Sequence, residues 1–199
     1  MKKVSSPASN IYEVDGIASP EEVAEIMQLA SMIDVWNYDP ITRVDDSGNI
    51  VYDAEAWLDT TCGADLLAGI DFARYSVLES VARRALNEAE SLFECRLLFR
   101  EPSLVRLDKF SKTRQAHADK ENIDGSPKIG MEDYDVSVVM YHNSDFSGGD
   151  LVFPLQKVRI TPSAGKIVIF PGSASHIHFV DTIYSGIRWS SPLFFSIVG

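Results

Sequence analysis

The sequence predicts an α+β protein in which a helical support comes first and a β-rich barrel follows. Three observations carry this reading. Two stretches before residue 95 repeat apolar residues at helical spacing. From about residue 96 the apolar runs become short, rich in β-branched and aromatic residues, and punctuated by Gly, Pro, Asp and Asn. The chain has 199 residues, 45% of them hydrophobic, which is enough for one sizeable core and too few for two comfortable domains. A single domain over 1–199 is therefore expected, with 1–95 mainly helical support and 96–199 the barrel.

The first helix opens in "IASPEEVAEIMQLASMI". Ser19 is the cap, Pro20 sits in the first turn, and Glu21 and Glu22 favour the positive end of the helix dipole. Val23, Ile26, Met27, Ala30 and Ile33 then follow at helical spacing. A polar, turn-rich segment runs through "NYDPITRVDDSGNI". From Asp65 to about Glu94 the pattern reads as one or two helices with a narrow buried stripe of Val77, Val81, Ala85 and Ala89. The candidate strands are "CRLLFR", "SLVRLDKF", "VSVVMYHN", "DLVFP", "KVRIT", "KIVIF", "HIHFVD" and "RWSSPLFFSIV". Short strands with turns between them fit a sandwich, a barrel or a jelly roll. The polar loop at 120–132, with Gly125, Pro127 and Gly130 as hinge points, is expected to be a lid that orders on substrate.

Composition trims the list of functions. A net charge of −11 and a pI near 4.7 argue against a nucleic-acid partner and against docking on an anionic membrane. Cys62 and Cys95 are too few for a disulfide framework and read as reduced thiols. The start, "MKKVSSPASN", has no apolar run behind its basic pair, so a soluble, cytoplasmic protein is expected. The residues leave the oligomeric state open, with a monomer the simpler expectation.

The chemistry gathers around "AHADK" (116–120). His117 and Asp119 lie two apart, so at a strand end both side chains point the same way. Alone, the pair is no more than a surface His and Asp. Two neutral imidazoles and one carboxylate, however, make the facial triad that suits non-haem Fe(II). The third ligand must come from a distant strand, and "SHIHFVD" offers His176 and His178 on one face of a predicted strand. If 2-oxoglutarate supplies the electrons, its far carboxylate needs a fixed cation, best met by a bidentate arginine. Arg188 in "YSGIRW" stands ready as that cation or as an ordinary surface ion pair.

With these pieces in order, the C-terminal half resembles the prolyl 4-hydroxylase-like 2-oxoglutarate/Fe(II) dioxygenases. The motifs are "HAD" (117–119), "MYHN" (140–143), "SGGDLVFP" (147–154), "KIVIFPG" (166–172) and "HFVDTIYSGIR" (178–188). The N-terminal "NIYEVDGIASPEEVAEIMQLAS" is similar to the family's opening strand and helix. The resemblance implies a double-stranded β-helix, that is, a jelly-roll, cupin-like barrel supported by N-terminal helices. It implies Fe(II) on His117, Asp119 and His178, 2-oxoglutarate gripped by Arg188 with help from Tyr141, O2 as oxidant, and ascorbate as the reductant that keeps iron reduced. His-to-Arg spacing in the family selects His178 over His176, which becomes a neighbour of the site. His142 is expected to face solvent, and Gly148 and Gly149 suit a tight turn or close backbone approach.

The implied activity is hydroxylation of an unactivated C–H bond. A prolyl residue in a peptide or protein is the first choice of substrate. A free amino acid or other small molecule is the alternative, and a non-catalytic jelly-roll binding module is the alternative of another class. Two features depart from the family. Arg106-Leu107 stands where many relatives have Arg-Tyr, which puts one polar contact in doubt. Arg114 is an extra cation near the site, facing either an acidic substrate group or solvent.

Overall fold

The computed structural model describes residues 9–34, 61–109, 111 and 116–199, together with the backbone of residues 2–3, 37–38, 42–44, 50–52 and 60. Arg114 lies outside the described residues.

β1 (Lys2–Lys3) pairs antiparallel with β2 (Tyr12–Val14), which leads into α1 (Pro20–Ser31). The helix starts where the sequence puts it. Ser19 accepts from the Glu22 backbone N–H, and the Glu22 carboxylate accepts from the Ser19 N–H at 2.9 Å, a complete capping box. Ile26, Leu29 and Ala30 are its buried face, while Val23 is only half-buried. The short strands β3 (Asn37–Tyr38), β4 (Thr42–Val44), β5 (Ile50–Tyr52) and β6 (Thr60–Cys62) follow.

The second helical stretch is two helices, α2 (Ala64–Ile70) and α3 (Phe72–Phe93). They divide at Asp71, whose extended backbone ends α2 and whose carboxylate caps α3 by accepting from the Arg74 N–H at 3.0 Å. The stripe that α3 buries is Tyr75, Leu78, Val81, Ala82, Ala85 and Ala89. Val77, expected in it, is half-buried, because the 3.6-residue period centres the face between Leu78 and Ala82. Arg84 ties α3 to the start of α1, pairing with Glu22 at 2.6 Å and donating to the Ile17 carbonyl at 3.1 Å.

The remaining strands are β7 (Leu97–Leu98), β8 (Leu104–Asp108), β9 (Val136–Tyr141), β10 (Ser147–Gly148), β11 (Leu151–Phe153), β12 (Val158–Ile160), β13 (Ile167–Pro171), β14 (Phe179–Val180), β15 (Ile183–Ser185) and β16 (Ile187–Ile197). The major sheet has the order β1-β2-β13-β9-β16-β8-β6-β3, with β7 also on β16. A minor sheet, β12-β11-β14, and the ribbon β10-β15 complete a jelly roll. β9 is central and buried on both faces, which is why it reads as an apolar run broken only by the buried Ser137. Val136, Val138 and Met140 join the core formed with α1 and α3. Tyr141 joins a second core with Leu151, Phe153, Val168 and Phe170, inside the barrel.

Two strand expectations need correction. "CRLLFR" shortens to Leu97–Leu98, since only Ser196 and Ile197 at the end of β16 lie opposite to pair with it. "HIHFVD" is not one strand. Residues Ala174–His176 form a single 3-10 turn, closed by the His176 N–H donating to the Ser173 carbonyl at 2.9 Å. His176 and His178 therefore do not share a strand face.

Candidate active site

Two segments 61 residues apart meet at the barrel mouth. His117 and His178 form an isolated antiparallel bridge, each N–H donating to the other's carbonyl at 3.0 and 2.8 Å. The pairing brings their rings to 4.6 Å between centroids. Asp119 lies between them, its carboxylate oxygens 3.5 Å from His117 Nε2 and 3.8 Å from His178 Nε2. One ligand atom from each residue falls within 4.8 Å of the others. Among the described residues this is the one such group of His, Cys, Asp and Glu.

Each member is held in place by the fold. The Asp119 and Lys120 N–H groups both donate to the Gly172 carbonyl, at 3.1 and 2.9 Å. Gly172 must be glycine, because a Cβ there would lie 2.0 Å from the Tyr134 carbonyl oxygen. Ser137 donates to Asp119 Oδ2 at 2.7 Å. Burial pushes the Asp119 carboxyl up. The hydrogen bond from His117, the His178 and His117 charges and the Ser137 hydroxyl outweigh that and hold its pKa at about 2. The carboxylate is thus ionised and ready to take a cation. His178 Nδ1 donates to the His176 carbonyl at 3.0 Å, which fixes the tautomer and leaves Nε2 as a lone-pair donor. Phe153 and Phe170 pack on the same ring, at 5.6 and 4.7 Å. His117 is the most exposed of the three, with a quarter of its side chain open, so the site opens on its side.

His176 stays out of the cluster. Its Nε2 donates to the Ser9 carbonyl at 2.7 Å, and it touches the site only through the carbonyl that orients His178.

Deeper in the barrel, Arg188 is 2% exposed. One guanidinium nitrogen donates to Ser190 at 2.8 Å, its carbon lies 4.9 Å from the Tyr141 ring centroid, and Nε has no partner. The Tyr141 hydroxyl is also buried without a partner. Burial raises the phenol's pKa, against the opposing pull of the Arg188 charge. No carboxylate among the described residues forms an ion pair with Arg188. A buried, unpaired cation beside an unpaired hydroxyl is costly unless an anion completes it, and a carboxylate of a bound co-substrate fits. The surrounding wall is apolar. Leu107 stands directly opposite Arg188 in the sheet and packs with Val105 and Ile183. The "SGGD" motif makes room for the arginine: Gly149 has φ +70, and a Cβ there would lie 3.1 Å from Arg188 Cδ.

His142 overturns an expectation. It is 1% exposed rather than solvent-facing. Its N–H donates to the Trp189 carbonyl, and its Nε2 shares a hydrogen bond with Ser191 at 2.8 Å on the helix-facing side of the sheet. The reason is that "MYHN" does not end in an exposed turn. Asn143 continues the edge, accepting from the Trp189 N–H and donating to the Ile187 carbonyl. Burial, and then the Arg188 charge, lower the imidazole pKa to about 3, so it is neutral.

Ser137 and Ser190 are site residues that motif reading passed over. A signal existed: each is a serine an even number of residues from a site position on the same strand, Ser137 four before Tyr141 and Ser190 two after Arg188, so each shares that residue's face.

Residues 105–196 match the family model described as the 2OG-Fe(II) oxygenase superfamily. Membership of that superfamily implies Fe(II), 2-oxoglutarate and O2 as cofactors. The His117–Asp119–His178 cluster fits the iron. Solved structures share the fold at low identity. A prolyl hydroxylase from Trichoplax adhaerens, in complex with a hypoxia inducible factor oxygen degradation domain peptide fragment, is 16% identical with a TM-score of 0.63, covering 95% of this chain and 84% of its own. The viral collagen prolyl hydroxylase of Paramecium Bursaria Chlorella virus-1, in its 2OG complex, is 13% identical with a TM-score of 0.62, covering 96% and 98%. A Pseudomonas putida prolyl-4-hydroxylase is 18% identical with a TM-score of 0.59, covering 96% and 95%. No curated protein matches the sequence.

Proposed function

We propose that the protein is a prolyl 4-hydroxylase-like 2-oxoglutarate/Fe(II) dioxygenase that hydroxylates a prolyl residue in a peptide or protein, using His117, Asp119 and His178 to hold iron and Arg188 and Tyr141 to hold 2-oxoglutarate. The observation that carries the assignment is the convergence of three ligand atoms within 4.8 Å from two distant segments. Bound Fe(II) supplies the redox chemistry in which O2 and 2-oxoglutarate are consumed, a C–H bond is hydroxylated, and succinate and carbon dioxide leave. The chain's own residues bind and orient. Ser137 keeps Asp119 turned toward the imidazoles, and the His176 carbonyl keeps His178 Nε2 pointing inward. Arg188, with Nε free, offers its fork to the far carboxylate, and the Tyr141 hydroxyl donates beside it. Phe153 and Phe170 keep water from the inner side of the cluster.

The prolyl substrate is supported by the fold neighbours, which are prolyl hydroxylases. The test is succinate release by the Fe(II)-loaded protein, offered prolyl peptides or free amino acids. Stimulation by prolyl peptides, with a mass gain of one oxygen on proline, is the expected result. Stimulation by a free amino acid alone would replace the peptide with a small molecule. No succinate under any condition would sink the dioxygenase assignment itself.

A further inference from the structure

The loop leaving Asp119 is a bonded lobe with an unusual surface. Its near end is tied by the two bonds to Gly172, by Lys120 on Asp135 at 2.5 Å, and by Glu121 accepting from the Ala174 N–H at 2.7 Å. Its far end is tied by the Asp133–Arg100 ion pair and by Tyr134, which stacks on Phe194 at 4.5 Å. Between them, Asn122 and Ser126 close a turn, and the Lys128 N–H donates to the Lys120 carbonyl at 3.2 Å. A chain so tied could turn its apolar side chains inward, yet Ile129 is 95% exposed, Ile123 64% and Met131 39%. Exposed apolar side chains on the loop that leaves the cluster residue Asp119 mark an interaction surface.

The charges on the lobe say what kind of partner fits. Both of its lysines are turned inward, Lys120 onto Asp135 and Lys128 onto the Ala118 carbonyl at 2.7 Å. Asp124, next to Ile123, and Glu132, next to Met131, remain exposed. The chain as a whole carries −11. We infer that this lobe is the docking lip for the segment flanking the target proline, and that the segment is basic with apolar anchors. The inference rests on the peptide hydroxylase reading above and narrows its substrate class. Ile123, Ile129 and Met131 receive the apolar side chains, and Asp124 and Glu132 attract the lysines or arginines between them.

The experiment uses the Fe(II)-loaded full chain and three matched synthetic peptides, each a central Leu-Pro-Leu flanked on both sides by Lys, by Gln or by Glu. Peptide-dependent succinate release is read as kcat and KM, and succinate formed without peptide is read in parallel. The Lys peptide should have a KM at least tenfold below the Glu peptide, and the gap should shrink as NaCl is raised. Ile129→Ser with Met131→Ser should raise that KM about tenfold, leaving kcat and peptide-free succinate formation unchanged. Asp124→Lys with Glu132→Lys should reverse the preference between the Lys and Glu peptides. Equal KM values across the three peptides, or loop variants that behave as wild type, would overturn the lip. So would 2-oxoglutarate turnover that responds only to free proline or to no peptide, although the dioxygenase assignment would then stand. Absence of any turnover in the wild type would overturn both.

Discussion

Replacing Arg188 with alanine separates a 2-oxoglutarate enzyme from a barrel that merely holds metal. The guanidinium is 2% exposed and already spends one donor on Ser190, leaving Nε and the outer nitrogen edge for a carboxylate. Charge-assisted bonds contribute about 1.5–3 kcal/mol each. Water entering the space left by the side chain recovers part of a two-bond fork, so the loss should come to about 1.5–3 kcal/mol. That is a weakening of about ten- to a hundredfold in the 2-oxoglutarate dissociation constant. Arg188→Lys should recover part of it, restoring the charge but not the planar fork. Iron binding should be unchanged in both variants, because Arg188 is not among the clustered ligand atoms. The assay is calorimetric titration of 2-oxoglutarate into anaerobic, metal-loaded protein, with metal content measured on the same samples. An Arg188→Ala protein that keeps its metal and binds 2-oxoglutarate like wild type would refute the reasoning, and the unpaired arginine would need another anion.

His117→Ala should abolish stoichiometric Fe(II) or Mn(II) binding, measured by metal analysis after desalting, since two remaining donors are too few. His178→Ala should do the same, whereas His176→Ala should keep its metal while losing about 1–3 kcal/mol of stability in urea unfolding, because the buried hydrogen bond to the Ser9 carbonyl is lost. Acid should destabilise the protein through His142. Its folded pKa is near 3 against an ordinary 6.5, so between those values the unfolded chain holds a proton that the folded chain lacks, and stability falls as pH falls. The slope from this group is up to about 1.4 kcal/mol per pH unit below 6.5. His142→Leu should remove that share of the slope in urea midpoints compared between pH 7 and pH 5.

Much of the site was legible because it is written in short, local patterns. Asp119 follows His117 by two residues, and Arg188 follows His178 by ten, spacings that survive whatever the intervening chain does. The capping box at Ser19 and the apolar periods of α3 and β9 are local as well, since caps and periodic faces depend only on neighbours a few residues away. The sequence by itself therefore determined that helices precede a β-rich barrel, and it supplied the ligand candidates. Only tertiary structure decided between equal local choices. His176 and His178 have the same side chain, and what separates them is a 3-10 turn that aims one at Ser9 and pairs the other with His117. Arg188 could have been a surface ion pair, and it became a buried cation because β16 pairs with β8 and β9 under the minor sheet. His142 passed for a solvent-facing residue because its burial comes from Ser191, 49 positions away. Local sequence sets periods, caps and turns at a cost of a few residues each, but burial and charge pairing are properties of segments that meet only once the sheet has closed.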